Sequence, residues 1–299
     1  MLQPIAGAVD LPDEPLELSA PIAWKIAAEL CHKDAVTGES CVWNHGLWQF
    51  LRIMGLAGTA ANRTAFYQHS IRSFAGSNPE PRILISGTSD YAMLAQIALA
   101  AQRTGISPLV TVTDLCETPL YLNRWYAAKI GINIRTVCSD ILRLDLPDPF
   151  DLICTDSFLG RFPHTEWPQL ATRWHSLLRP GGTLLTASQL RLDPGPEKIV
   201  FTEEQVIAFS NTVSEKARQF GMRYGITPED LARAAMQYGQ HQSNHPLRSA
   251  ERLESLLEYA GFRIVALTTN STGISNSESI RGPSVPGGGK FLCVVATRR

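Results

Sequence analysis

At 299 residues, 44% of them apolar, the chain is long enough to bury a full hydrophobic core. Its formal net charge is −1, with 27 Lys and Arg scattered among 28 Asp and Glu, so no basic face argues for a nucleic-acid backbone or an anionic membrane as partner. No apolar run approaches the roughly twenty residues needed to cross a bilayer, and Met1–Pro15 has neither a basic start nor a continuous apolar segment, which reads as a cytoplasmic protein.

After an acidic lead come three helical patterns. Ile22, Ile26 and Leu30 mark the first, Leu47, Leu51 and Met54 the second, and Phe66, Ser70, Ile71 and Phe74 the third, which exits at Gly76-Ser77-Asn78-Pro79. No strand signal precedes residue 82, so residues 1–79 read as a helical cap. Within it, Cys41-Val42-Trp43-Asn44-His45-Gly46-Leu47-Trp48 concentrates aromatic and imidazole groups, which either pack the cap onto the rest of the chain or form a wall of a substrate pocket.

The central stretch follows. Ile83, Leu84 and Ile85 form a short run suited to a strand buried on both faces, and Gly87 breaks it inside the polar turn Ser86-Gly87-Thr88-Ser89-Asp90. Met93, Leu94, Ile97, Ala98 and Ala101 then recur at helical spacing, and Leu109–Thr113 is a second buried strand ending on Asp114. Strand, glycine turn, helix and a second strand tipped by a carboxylate make the first half of a nucleotide-binding unit, in which that carboxylate can accept ribose hydroxyls. Further on lie a helix over Pro119 to Ile130, a strand over Ile132–Val137 followed by Ser139-Asp140, a strand Phe150–Asp156 with a polar tip, and a helix Trp167–Leu178. Arg179-Pro180-Gly181-Gly182 stops that helix and Thr183–Ala187 begins a fifth strand. Regular alternation calls for a doubly wound parallel sheet covered on both faces.

Roughly Arg191–Leu247 is an insertion. Thr202-Glu203-Glu204-Gln205 is a capping box before Val206, Phe209, Val213 and Phe220, and Thr227-Pro228-Glu229-Asp230 opens a helix with Leu231, Ala234 and Tyr238. These read as lid helices, with Arg223, Tyr224, His241 and His245 as candidate substrate contacts that serve equally well as solvated or capping side chains. A last helix, Ser249–Ala260, precedes Gly261–Val265, a Ser-, Gly- and Pro-rich tract over Gly273–Gly289, and Lys290–Ala296. The six cysteines include no CxxC pair and read as reduced. Cys31-His32, Cys41 and His45 gather in one short stretch, but their spacing matches no common zinc pattern, so packed or exposed side chains are expected there and no metal.

In order, ILISGTSDY, VTVTDL, CSDI, FDLICTDSF and LLRPGGTLL resemble the five central motifs of class I S-adenosylmethionine-dependent methyltransferases over about residues 80–190. The C-terminal segments are similar to that family's last helix and its sixth and seventh strands. The resemblance implies a Rossmann-like α/β domain over 80–299, with a seven-stranded, mostly parallel sheet of order 3-2-1-4-5-7-6 and the lid inserted at 191–247. It departs in the first motif, where Gly87 fills the first glycine position but Ser89 and Tyr91 stand at the second and third, and Ile85 replaces the usual acid. Tyr91 is therefore expected to turn its ring away from the ligand.

The resemblance further implies S-adenosylmethionine as cofactor, with Gly87 and Ser89 along its methionine moiety, Asp114 and Leu115 at the ribose, Asp140 and the Ile141 backbone at the adenine, and Thr155 nearby. Asp90 either meets the methionine ammonium or caps the following helix. Methyl transfer from a sulfonium needs proximity and orientation, and a base only if the nucleophile must lose a proton. Asp156, as base or substrate anchor, and His45 are the candidates for chemistry; Trp43, Trp48, Tyr67 and Phe158 are the candidates for substrate contact. The function implied is methyl transfer to a small-molecule acceptor in an enclosed site, with association into a homo-oligomer left open. A cyclisation of the cofactor's aminobutyrate arm, or a non-catalytic binding subunit on the same fold, are the alternatives.

Overall fold

The structure is a computed structural model that describes residues 12–31, 33, 39–75, 78–220, 225–271 and 290–299. His32, Gly76, Ser77, Arg223, Tyr224 and the tract 273–289 lie outside the described residues. Before the sheet come helices α1 (Leu16–Leu30), α2 (Val42–Ile53) and α3 (Thr64–Ala75), the last entered through a 3-10 turn, Ala60–Arg63, capped by Thr59. The stripe predicted for α1 is corrected. Ser19, Ala20, Ala23 and Ala27 are buried, while Ile22, Ile26 and Leu30 are only half-buried. Small residues win that face because α2 comes so close: a methyl on Gly46 would sit 3.6 Å from the Ala27 Cβ.

The sheet comprises β1 (Arg82–Ser86), β2 (Leu109–Asp114), β3 (Ile134–Cys138), β4 (Phe150–Asp156), β5 (Leu178–Leu190), β6 (Phe262–Ser271) and β7 (Lys290–Arg298). Its order is 3-2-1-4-5-7-6, as predicted, with β7 antiparallel to both neighbours and the first five strands parallel. β5 starts earlier than the glycines suggest: Leu178 pairs with Phe150 and Thr183 with Leu152, so Arg179–Gly182 bulges out of the ladder. Asp151 holds that excursion through an ion pair of 2.5 Å to Arg179.

Between strands run α4 (Ala92–Thr104), α5 (Glu117–Ile130) and α6 (Trp167–Leu177), and α9 (Ala250–Tyr259) precedes β6. Residues of α4 and α5 cover one face, joined by Tyr67 and Ile71 of α3 and Ala23 of α1; Leu170 and Trp174 of α6 with Leu253 and Leu257 of α9 cover the other. The insertion supplies α7 (Glu203–Phe220) and α8 (Pro228–His241), each opened by the expected box, Thr202 with Gln205 and Thr227 with Asp230. Its neck is closed: Leu190 bridges to Leu247, and the Arg191 N–H donates to the Leu247 carbonyl at 2.9 Å. A third apolar cluster joins Leu47, Phe50 and Leu51 of α2 to Val206, Phe209 and Val213 of α7 and to Leu231 and Tyr238 of α8. α2, α7 and α8 thus pack into one helical layer.

Candidate active site

Between that helical layer and the strand ends lies a cavity of about 600 Å³. Its floor is the glycine turn Gly87–Asp90, the tip Asp114–Cys116, Ser139–Ile141, and Asp156–Phe158; its roof carries Trp43, Asn44, His45 and Trp48 from α2, with Tyr238 and Gln242 from the insertion. Of the described lid candidates His245 lines it and His241 does not; of the residues singled out for cofactor, chemistry and acceptor, all but Thr155 and Tyr67 line it. Those two stand behind the wall. Thr155 is buried in β4, and Tyr67 is fully buried with its hydroxyl, which has one proton to donate, 2.9 Å from both the Thr155 carbonyl and Asp156 Oδ1.

Gly87 takes φ +71, a left-handed conformation that glycine tolerates, and any Cβ there would lie 2.2 Å from the Phe158 ring. Asp114 fastens this turn to the next one. Its Oδ2 accepts the Thr88 N–H at 3.0 Å and its Oδ1 the Cys116 N–H at 2.9 Å. Burial raises the Asp114 pKa, against the opposing pull of His45 and of these two N–H groups. Asp90 is buried and committed: Oδ1 accepts from the Ala92 N–H at 2.9 Å, and Oδ2 pairs with Arg52 Nη1 at 2.7 Å, while Arg52 Nη2 holds Glu14 at 2.8 Å. Asp140 Oδ1 accepts from the Leu142 N–H at 2.9 Å. Tyr91 is turned away, as expected, stacked on Tyr126 at 4.5 Å with its hydroxyl 2.7 Å from Ser19 Oγ.

Asp156 is held from below by Arg63, which is fully buried and donates through both Nε, at 2.7 Å to Oδ1, and Nη2, to Oδ2. Burial would lower the Arg63 pKa, but the Asp156 charge outweighs it and the guanidinium stays charged. Its other face lies over the Phe291 ring at 4.0 Å. On the roof, Trp43 stacks on His241 and meets Tyr238 edge-on, each at 5.7 Å. Two buried polar atoms on cavity-lining side chains, Trp48 Nε1 and Ser188 Oγ, have no hydrogen-bond partner among the described residues.

Sequence reasoning named three members of one group, expected no metal there, and missed the fourth member. Cys31, Cys41 and His45 are joined by Cys116, which directly follows the β2 tip, and one ligand-type atom from each of the four lies within 4.8 Å of the others. Cys31 Sγ is 3.5 Å from His45 Nδ1, and Cys41 Sγ is 3.4 Å from Cys116 Sγ. The Cys31 and Cys41 thiols hold the Cys116 sulfur well below the usual thiol range. Burial alone would lower the His45 imidazole, but the neighbouring Cys116 and Cys41 sulfurs outweigh it and push it up to about 10. His45, a candidate for chemistry in the sequence, has its Nδ1 turned to this group.

Residues 94–182 match the family model described as a methyltransferase domain, and the sheet order is the one that the resemblance implied. The chain therefore carries a match to a methyltransferase domain over residues 94–182. Among solved structures, the chain is similar to magnesium protoporphyrin IX methyltransferase from Synechocystis with bound S-adenosylhomocysteine, at 12% identity over 86% of this chain and 96% of that one, with a TM-score of 0.49. It is also similar to the N-methyltransferase NodS from Bradyrhizobium japonicum in complex with S-adenosylhomocysteine, at 13% identity over 79% and 87% of the two chains and a TM-score of 0.45. A methyltransferase from Methanosarcina mazei matches at 16% identity over 74% and 93%, with a TM-score of 0.46. No curated protein matches the chain.

Proposed function

We propose that the protein transfers the methyl group of S-adenosylmethionine to a small molecule enclosed between cap, lid and sheet. The observation that carries this reading is the roofed cavity, with the strand-tip carboxylates on its floor and, on its lining side chains Trp48 and Ser188, a buried Nε1 and Oγ that have no partner among the described residues. A buried N–H or hydroxyl left unmade costs about 1–3 kcal/mol, which a ligand inside the cavity offsets. Residues 1–79 form the cap, 80–299 the catalytic domain and 191–247 the lid.

The residues present fit the cofactor. Each Asp114 oxygen accepts one backbone N–H and keeps a second lone pair for a ribose hydroxyl; Asp140 and the Ile141 backbone stand where the adenine would lie, and the Gly87–Ser89 turn where the methionine arm would. Leu115 flanks the ribose position. Asp90, engaged by Arg52 and the Ala92 N–H, shapes the turn. When bound, S-adenosylmethionine supplies a methyl group already activated on a sulfonium. The chain does the rest by placement: Trp43, Trp48 and Phe158 exclude water and present aromatic faces to a cation, while Trp48 Nε1 and Ser188 Oγ orient the acceptor. Asp156, with both oxygens engaged by Arg63 and Tyr67, anchors the acceptor, and Thr155 and Tyr67 hold it in place. Six cysteines, none of them in a disulfide, fit a cytoplasmic enzyme of small-molecule metabolism.

Calorimetric titration of the full chain with S-adenosylmethionine, followed by S-adenosylhomocysteine release on addition of fractionated metabolites, tests this. Binding and acceptor-dependent release are expected. A folded protein that does not bind the cofactor overturns the reading.

A further inference from the structure

We propose that Cys31, Cys41, His45 and Cys116 form a structural zinc site that clips the helical cap to the tip of β2. With Zn–S near 2.3 Å and Zn–N near 2.0–2.1 Å, a tetrahedral site has edges of about 3.8 Å between sulfurs and about 3.5 Å between sulfur and nitrogen. The group already stands at that scale, with Cys41 Sγ to Cys116 Sγ at 3.4 Å, Cys31 Sγ to His45 Nδ1 at 3.5 Å, and all four atoms within 4.8 Å. Three sulfurs and one imidazole are the donor set of a closed site, and the soft thiolates select zinc over hard cations. None of the three cysteines is in a disulfide, and Cys31, His45 and Cys116 are buried.

The placement explains why such a clip is useful. Cys31 is the C-cap of α1, Cys41 the N-cap of α2, His45 sits in the first turn of α2, and Cys116 is the N-cap of α5. One ion would therefore fix three helix ends relative to Asp114, two residues before Cys116. Thr118 Oγ1, 3.3 Å from Cys31 Sγ, supplies the kind of hydroxyl that supports a ligating thiolate from outside the coordination sphere. Binding releases the remaining thiol protons, and three thiolates with one divalent ion leave the site at charge −1. With four protein ligands no position is open to substrate, so the ion holds structure and takes no part in transfer. This inference does not rest on the methyl-transfer reading.

Elemental analysis of the full chain, produced with zinc in the medium and dialysed against a chelator, should find one zinc per chain. Cobalt added to the stripped protein should give the visible bands and near-ultraviolet charge-transfer absorption of tetrahedral thiolate ligation. Cys31→Ser, Cys41→Ser and Cys116→Ser should each retain about tenfold less zinc or worse, whereas Cys138→Ser, at an exposed thiol outside the group, should retain it all. Should the ligand variants fail to fold, titrating the wild-type protein with a mercurial should release zinc in step with thiol loss. A folded wild-type protein that holds no zinc and gives no thiolate-ligated cobalt spectrum, that holds iron instead, or that carries a Cys41–Cys116 disulfide overturns the proposal.

Discussion

Asp114→Asn separates the two duties of that carboxylate. In the free protein Asp114 accepts from Thr88 N–H at 3.0 Å and from Cys116 N–H at 2.9 Å, one on each oxygen. An amide keeps one acceptor and turns an NH2 group against the other N–H, so one backbone donor loses its partner. Leaving a buried N–H unpaired costs about 1–3 kcal/mol, and that is the expected loss of stability in urea unfolding. Toward the cofactor, the variant loses one charge-assisted contact to the ribose, about 1.5–3 kcal/mol, which is about ten- to a hundredfold in affinity. Calorimetric titration with S-adenosylmethionine reads the second term independently of the first. Because Cys116 is one of the two partners, the zinc content of the variant must be measured beside it. A folded variant with the metal content of the wild type and affinity within about twofold of it would refute the assignment of Asp114 to the ribose.

Gly87→Ala should cost about 1–2 kcal/mol from the left-handed backbone alone, with a further loss from the Cβ meeting Phe158 at 2.2 Å; Phe158→Ala in the same chain should recover only the second part, as read by thermal unfolding. Arg63→Met leaves Asp156 without its guanidinium and should destabilise by about 3–5 kcal/mol in denaturant titration, with Asp156→Asn added to it recovering a substantial share. Tyr91→Phe removes the contact with Ser19 and should cost about 1 kcal/mol while cofactor affinity stays put; a fall in affinity would place the hydroxyl's influence at the ligand after all.

The sheet was legible because its central strands are buried on both faces and therefore spell continuous apolar runs such as Ile83–Ile85 and Leu152–Cys154. Helix starts were legible where capping boxes announce them, at Thr202 and Thr227. The α1 face was not, since helical periodicity counts Ile and Leu, whereas close approach to α2 selects Ala. Nor was the start of β5: the glycines mark a bulge, and pairing between Leu178 and Phe150 resumes the ladder before them. In the site, Gly87, Asp114 and Asp140 follow from local turns at strand ends, so a motif finds them. The thiol group does not, because Cys116 reaches Cys31 and Cys41 only once the cap has folded back over β2, and spacing along the chain carries no trace of that meeting. Thr155 and Tyr67 fail for a related reason: both neighbour the site, but burial decides which neighbours face the cavity.

The cap is part of the fold that it covers, and this decides how its function can be tested. Removing residues 1–79 would strip Tyr67, Ile71 and Ala23 from the cluster over α4 and α5, and Leu47, Phe50 and Leu51 from the cluster that holds α7 and α8. Each large side chain fully buried contributes about 1.5–3 kcal/mol, and five such losses, about 7.5–15 kcal/mol, are comparable with the 5–15 kcal/mol by which a domain is stable. The truncation also leaves Asp156 without Arg63 and takes from the buried Gln96 its contact with Thr64 and its carbonyl's contact with Gln68. The truncated chain should therefore be insoluble or bind a hydrophobic dye without a cooperative unfolding transition, and its inactivity would say nothing of the roof. Trp48→Phe asks the question instead. It removes a buried N–H with no partner among the described residues, so stability should hold or rise by about 1 kcal/mol. Cofactor affinity, set by the floor, should not change, while turnover of the acceptor should fall. Full turnover in that variant would show that the indole N–H meets no ligand, and the roof would then be a wall and nothing more.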